Sequence, residues 1–159
     1  FIRNLALDQE GITLILFQYV EGHGQLLLDA IKEKNSDKSV FYVHGGVAAQ
    51  DREAVRLICE RNENAIIVAS MGTFSTGINI PKIKQVIFAH PSKSKIRTLQ
   101  SIGRGLRKAK GKSDVVLFDI VDDLRHKKKK NYTYKHFEER LAFYTTEQFK
   151  TTIARVPIS

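Results

Sequence analysis

Cysteine is almost missing from this chain: Cys59 is the only one in 159 residues. A lone thiol excludes a disulfide framework and any multi-cysteine zinc or iron–sulfur centre, and it fits a reducing compartment. No apolar run approaches the roughly 18–20 residues that a membrane span needs. The opening FIRNLALDQEG has neither a secretory apolar region nor an initiator methionine, so the chain reads as an internal segment of a longer polypeptide. There is no GxxxxGK[ST] phosphate loop, no dinucleotide fingerprint and no nucleophile elbow. Asp119 and Asp122 come too late in the chain for the acidic magnesium motif of an ordinary ATPase. These gaps argue against a free-standing nucleotide hydrolase or a doubly wound small-molecule enzyme.

What is present is a basic surplus, 26 Lys and Arg against 17 Asp and Glu. It is concentrated. From Lys93 to Lys130 there are thirteen basic and four acidic residues, so this stretch alone accounts for the formal charge of +9. Such a concentration suggests a polyanionic partner. A solvated face with a Lys-rich loop, Lys127–Lys130, fits the charge equally well.

Hydrophobic patterning alternates between strand and helix. Thr13–Val20, Ser39–His44, Asn64–Ser70, Gln85–Ala89 and Asp114–Val121 read as strands. Between them, Gln25–Lys34, Gln50–Arg61 and Lys95–Lys108 read as helices, the second with Val55, Ile58 and Cys59 inward. Strands apolar throughout are buried on both faces. The expected fold class is therefore α/β, an open and mainly parallel sheet flanked by helices with right-handed crossovers. The domain spans 13–124, after a linker or lead-in segment at 1–12. A basic linker, 125–132, and a C-terminal helix within 133–159 follow, the helix carrying Tyr134, Phe137, Leu141 and Tyr144 and packing on the domain. Ligands of such sheets bind beyond the carboxyl ends of the strands, and the distinctive loops fall there.

Three motifs carry the chemistry. In Gln100-Ser-Ile-Gly103-Arg104-Gly105-Leu-Arg107, the residues Ile96, Leu99, Ile102 and Leu106 share one helical face. Gln100, Arg104 and Arg107 share the next. Two guanidiniums on a rigid element suit a transferring phosphoryl group, because their forked donors match its oxygens. Gly103 and Gly105 each cost a helix about 1 kcal/mol relative to Ala, which makes sense where something approaches closely. Arginine spacing alone would describe an ordinary surface helix. The second motif is Ser70-Met-Gly72-Thr73-Phe-Ser75-Thr76-Gly77-Ile-Asn79-Ile-Pro81, whose small and hydroxylated residues let backbone N–H groups face a phosphate. A plain strand-to-helix connection has similar composition. The third, His44-Gly45-Gly46, permits backbone approach to a sugar–phosphate chain, and a tight turn explains it equally well. His23, His90, His126 and His136 lack metal-ligand spacing and read as structural or surface residues. Asp122 and Asp123 offer an acid/base or magnesium pair, or cap a strand end.

Taken in order, these elements resemble the second RecA-like domain of superfamily two helicases, from about Thr13 to Val121. Gln100, Gly103, Arg104 and Arg107 match every fixed position of that family's QxxGRxxR motif. The strings from Val68 to Gly77 and from Ser94 to Lys108 are similar to those of the phage UvsW type of DNA-remodelling helicase. The resemblance implies a RecA-like fold and a role as half of an ATP-driven DNA motor. Arg107 would be the arginine finger, Arg104 its companion and Gln100 the coupling residue. Gly77, Asn79 and Gly103 would lie on the nucleotide, and Gly45, Ser70, Gly72 and Thr73 on a nucleic-acid phosphate. Asn79 stands where many members carry Asp; it can accept a hydrogen bond from a ribose hydroxyl but carries no charge. ATP with Mg²⁺ would be held mainly by a first RecA-like domain outside this chain. The implied partners are that domain and branched or single-stranded DNA gripped through phosphates, with no membrane. The implied location is the cytoplasm of a prokaryotic or phage-infected cell. A catalytically inert basic nucleic-acid-binding module remains the alternative.

Overall fold

The computed structural model describes residues 1–34, 37–75, 80, 82–90, 114–124 and 129–157. Its strands are β1 (Ile12–Phe17), β2 (Ser39–Val43), β3 (Ala65–Ser70), β4 (Ile83–Phe88) and β5 (Val116–Asp119). Its helices are α1 (Ile2–Leu7), α2 (Gln25–Lys34), α3 (Ala49–Arg61), α4 (Met71–Ser75) and α5 (Tyr132–Thr146). The five strands form one sheet in the order β2-β3-β1-β4-β5, and all four pairings are parallel. The open parallel sheet expected from the apolar runs is therefore the fold.

Every residue of β1 and β3 is buried, whereas β2 and β5 are largely half-exposed. The reason is position. A central parallel strand is covered on both faces, while an edge strand is covered less. Side chains alternate between the faces. One face gathers Ile15, Phe17, Ile66, Val68 and Ile87 against Ala6 of α1 and Ile31 of α2. Leu14, Leu16, Ile67, Ala69, Val86 and Phe88 alternate to the other face, and all are essentially buried. A polar residue lies fully buried within β1: the Thr13 hydroxyl donates to Gln85 Oε1, directly across the pair, at 3.3 Å. That bond removes most of the cost of burying a hydroxyl.

The first residues are not a bare linker. Ile2, Leu5 and Ala6 recur at helical spacing, and α1 packs into the core through them. Lys38 then closes its end. Its ammonium donates to the carbonyls of Ala6 and Gln9, placing a cation at the negative end of the helix. Burial foremost lowers the Lys38 pKa, and Asp8 and Glu10 oppose that shift.

One inward residue of α3 differs from the sequence reading. Ile58 is 45% exposed, and only Cys59 is buried on that helix. Arg52, Val55, Arg56 and Cys59 form the covered side, and Ile58 lies about 100° around the helix from Cys59. The Cys59 thiol is pushed up to about 11 by burial, so it stays protonated and inert at neutral pH.

The described residues divide into two compact units, Phe1–His90 with 114–120, and 121–157. The second is built on α5, whose buried residues are His136, Arg140 and Tyr144. These lie at i, i+4 and i+8, so Tyr144 alone of the four expected apolar residues is fully covered. His136, read as structural or surface, is structural. Asn131 and Thr133 both donate to the Asp122 carbonyl, tying the start of α5 to the preceding segment. Tyr144 stacks on Phe149 at 6.0 Å to finish the unit.

A close approach fixes the turn between β1 and α2. Gly24 is buried, and a Cβ there would lie 2.6 Å from the Phe17 ring and from the Tyr42 hydroxyl. Phe17 is fully buried and cannot yield. Gly24→Ala should therefore destabilise the fold by about 1–3 kcal/mol, as overpacking does, seen as a lower urea midpoint at unchanged slope.

Candidate functional site

Because the sheet is parallel, β1, β2, β3 and β4 all end at one edge. Phe17 pairs with Ser70 and Leu16 with Phe88, so these ends are level. The segments that follow β2, β3, β1 and β4 leave the sheet along this edge, in that order.

After β2 the chain makes a tight turn. Val47 N–H donates to the His44 carbonyl at 3.0 Å, and Gly46 N–H donates to His44 Nδ1 at 3.1 Å. His44 Nδ1 is thus the acceptor, which places the ring proton on Nε2. The His44 ring packs on Tyr42 at 5.0 Å. Gly45 stands exposed at the tip.

After β3 the expected open loop is a short helix, α4. Ser70 and Thr73 are both buried, and their hydroxyls lie 2.7 Å apart in a hydrogen bond. The Thr73 N–H donates to Ser70 Oγ at 3.4 Å. The pair works like a helix cap, closing the first turn with side-chain oxygen. Gly72 faces solvent between them.

The two loops approach one another. A Cβ added to Gly45 would sit 4.0 Å from Thr73 Oγ1, and nothing lies closer. A Cβ added to Gly72 would meet nothing within 4 Å. Neither residue has a positive φ among the described residues. Internal packing and backbone geometry therefore leave room for a side chain at both positions, unlike Gly24. Gly45, Ser70, Gly72 and Thr73, spaced across 29 positions of sequence, share one small patch of the edge.

Gly77, Asn79, Gln100, Gly103, Arg104 and Arg107 lie outside the described residues, as does the helix Lys95–Lys108. Of the lysine run, Lys129 is exposed, and Lys130 is paired with Glu138 at 2.5 Å. Lys130 is therefore committed to α5. Among the described residues, no group of three or more His, Cys, Asp or Glu could hold a metal ion, and no helix is long and apolar enough to cross a membrane.

Sequence reasoning missed an aromatic cluster on the same edge. Tyr19 meets His90 edge-on at 5.8 Å, and His23 lies 6.4 Å from His90. These residues come from β1 and β4 ends some 70 positions apart, so no local pattern could announce them.

Residues 1–109 match the family of the helicase conserved C-terminal domain. The chain belongs to that family. It is 38% identical to the ATP-dependent DNA helicase UvsW of Enterobacteria phage T4, over 96% of this chain and 32% of that protein. The helicase C-terminal domain described here thus spans 32% of the curated relative's length. The crystal structure of T4 UvsW matches it with a TM-score of 0.75 and 36% identity, covering 92% of this chain and 32% of that one. The SWI2/SNF2 ATPase core domain of Sulfolobus solfataricus shares the fold, with a TM-score of 0.62 at 21% identity over 96% of this chain and 29% of its own. The chain is a RecA-like C-terminal domain of the UvsW-like superfamily two helicases.

Titration of the helicase C-terminal domain should register His23. Burial lowers its pKa from the ordinary 6.5. As the pH falls, the unfolded chain takes up this proton before the folded one. The contribution of His23 is thus intact above about 6.5 and is lost as the pH falls through that value, levelling off below the lowered folded pKa. Urea midpoints measured from about pH 7 to about pH 5 should fall less steeply for His23→Gln than for the native chain; identical slopes would remove His23 from the balance.

Proposed function

We propose that this chain is the second motor domain of an ATP-dependent DNA helicase or translocase, supplying the arginine finger and part of the nucleic-acid grip. What supports the grip is the patch where Gly45 approaches the Ser70–Thr73 hydroxyl pair, with Gly72 exposed beside it. Two glycines whose surroundings have room for a Cβ present little bulk to a close neighbour. A sugar–phosphate chain is the neighbour that backbone N–H groups and a helix start suit. Binding through phosphates is indifferent to sequence and weakens steeply with salt.

The nucleotide role rests on the QxxGRxxR string. Arg107 is assigned the finger, Arg104 its companion and Gln100 the coupling residue, while Gly77, Asn79 and Gly103 are assigned to the nucleotide face. Two guanidiniums spread over three phosphoryl oxygens stabilise the charge of the transition state. Magnesium and the main phosphate cradle are assigned to a first RecA-like domain and to no residue of this chain. Cleft closure follows from the γ-phosphate, and alternating closure and opening moves the domain along a strand held at the patch. The substrate assigned is DNA, branched or single-stranded, by likeness to the phage relative.

Arg107→Ala in the full-length protein should lower kcat for ATP by about 10³–10⁵, the range for arginine fingers, with an unchanged circular dichroism spectrum. Normal turnover would leave only a basic binding module. The isolated chain of 159 residues should bind nucleotide weakly and hydrolyse none; robust hydrolysis by it would contradict the division of labour. Gly72→Glu, which the fold accommodates, should weaken DNA binding by charge repulsion without lowering the urea midpoint.

A further inference from the structure

We propose that Lys38 and Gln85 are positioning residues for the motor stroke: they lock the elbow between α1 and β1, so that a displacement reaching α1 passes into the central strand without slack. The inference rests on the motor reading above, in which a first RecA-like domain is joined ahead of α1. It adds the means by which that joint is made stiff.

Residues 8–11 lie between α1 and β1, outside helix and strand. Hinges are commonly short connections of this kind, whose residues absorb changes in φ and ψ. Gly11, at φ 88°, has the backbone most able to swing. Yet the connection is fastened along its length. The Lys38 ammonium donates to the carbonyls of Ala6 and Gln9. The Gln9 side-chain amide donates to the Leu5 carbonyl at 3.0 Å. Gln85 Nε2 donates to the Glu10 carbonyl at 2.9 Å, while its Oε1 accepts the Thr13 hydroxyl at 3.3 Å. One side chain of β4 thus holds both the elbow and the strand it leads into. Gly11 is buried under the stem of Lys84, whose Cδ would lie 2.6 Å from an added Cβ. At the other end, Ala6 is fully buried in the core, with Ile2, Leu5 and Leu7 packed beside it.

Closing a helix explains only part of this. A helix end leaves the carbonyls of its last turn without partners, and a cap for α1 would engage those alone. The carbonyls of Gln9 and Glu10 lie beyond the helix, and Lys38 and Gln85 take these as well. The fasteners also come from both sides of β1. Gln85 and Lys84 belong to β4, and Lys38 directly precedes β2, which lies beyond β3. A displacement arriving through α1 is therefore shared across the sheet. The elbow stands at the edge opposite Ser70, because the strands run the same way. Hydrolysis depends on contacts in the closed cleft, whereas the spacing of the open domains depends on the joint between them. A slack elbow would let the domain regrip at varied positions, and each cycle would move less strand.

The test is pulsed dipolar spectroscopy of the full-length protein, spin-labelled through Asn4→Cys on α1 and Gln50→Cys on α3, both exposed positions. It is paired with ATPase and strand-displacement assays. The native protein should show one narrow distance, the same with and without a non-hydrolysable ATP analogue. Lys38→Met keeps the stem and loses the donor. It and Gln85→Leu should broaden that distance and lower the strand displaced per ATP hydrolysed, at unchanged kcat and KM for ATP. Lys38→Arg, which keeps donors, should restore both. A nucleotide-dependent shift in the native distance would put the hinge inside the elbow and overturn the proposal. So would a distance that stays narrow in Lys38→Met and Gln85→Leu, or one that broadens with normal displacement per ATP. A fall in kcat matching the fall in displacement would reduce both residues to fold stability and also overturn it. Failure of the motor reading shows separately, as normal turnover by Arg107→Ala, a result that the elbow variants do not affect.

Discussion

The parallel pairing of β1 between β3 and β4 is the constraint on which the domain depends. A parallel strand cannot turn back on its neighbour; each pairing needs a crossover. Crossovers cover the faces, which is why β1 and β3 are buried at every residue. They also send every strand the same way. The loops after the strands therefore open at one edge, where Gly45 approaches Thr73 and Tyr19 meets His90.

That edge is made of backbone and small side chains more than of charge. The Ser70 and Thr73 hydroxyls satisfy each other and close α4, so their first task is structural. Gly24 and Gly45 illustrate two reasons for glycine. At Gly24 the surroundings exclude a Cβ; at Gly45 they do not. The first position is set by the core, and the second leaves its freedom for an approaching group. The basic surplus belongs to Lys93–Lys130, and within it Lys130 is neutralised by Glu138. Exposed pairs of this kind contribute little stability, yet they remove a cation from the pool that could meet a polyanion.

Much of the fold was legible in the chain. The five apolar runs fall on the five strands, and α2 spans Gln25–Lys34 as read. Such runs report burial on both faces, which is a local consequence of a parallel sheet. Four of the five strands were read one to three residues too far at the carboxyl end, while β1 and β4 begin one and two residues before the reading. Helix α1 was missed because only one turn and a half of pattern announces it. Ile58 was misplaced because α3 is covered on one narrow side, and periodicity alone does not choose between adjacent positions 100° apart. Arg140 was invisible as an interior residue, since composition places such side chains outside.

The candidate site divides along the same line. Composition, the α/β alternation, the concentration of positive charge and the QxxGRxxR string are properties of neighbours in the chain, and the amino-acid order alone determines them. Which loops share an edge is a property of strand order, and the order β2-β3-β1-β4-β5 is not written in any one segment. The approach of Gly45 to Thr73, the exclusion of a Cβ at Gly24 and the meeting of Tyr19 with His90 were decided by tertiary structure. The physical reason is that each joins residues tens of positions apart through packing, which depends on the shape of the whole core and not on local preference.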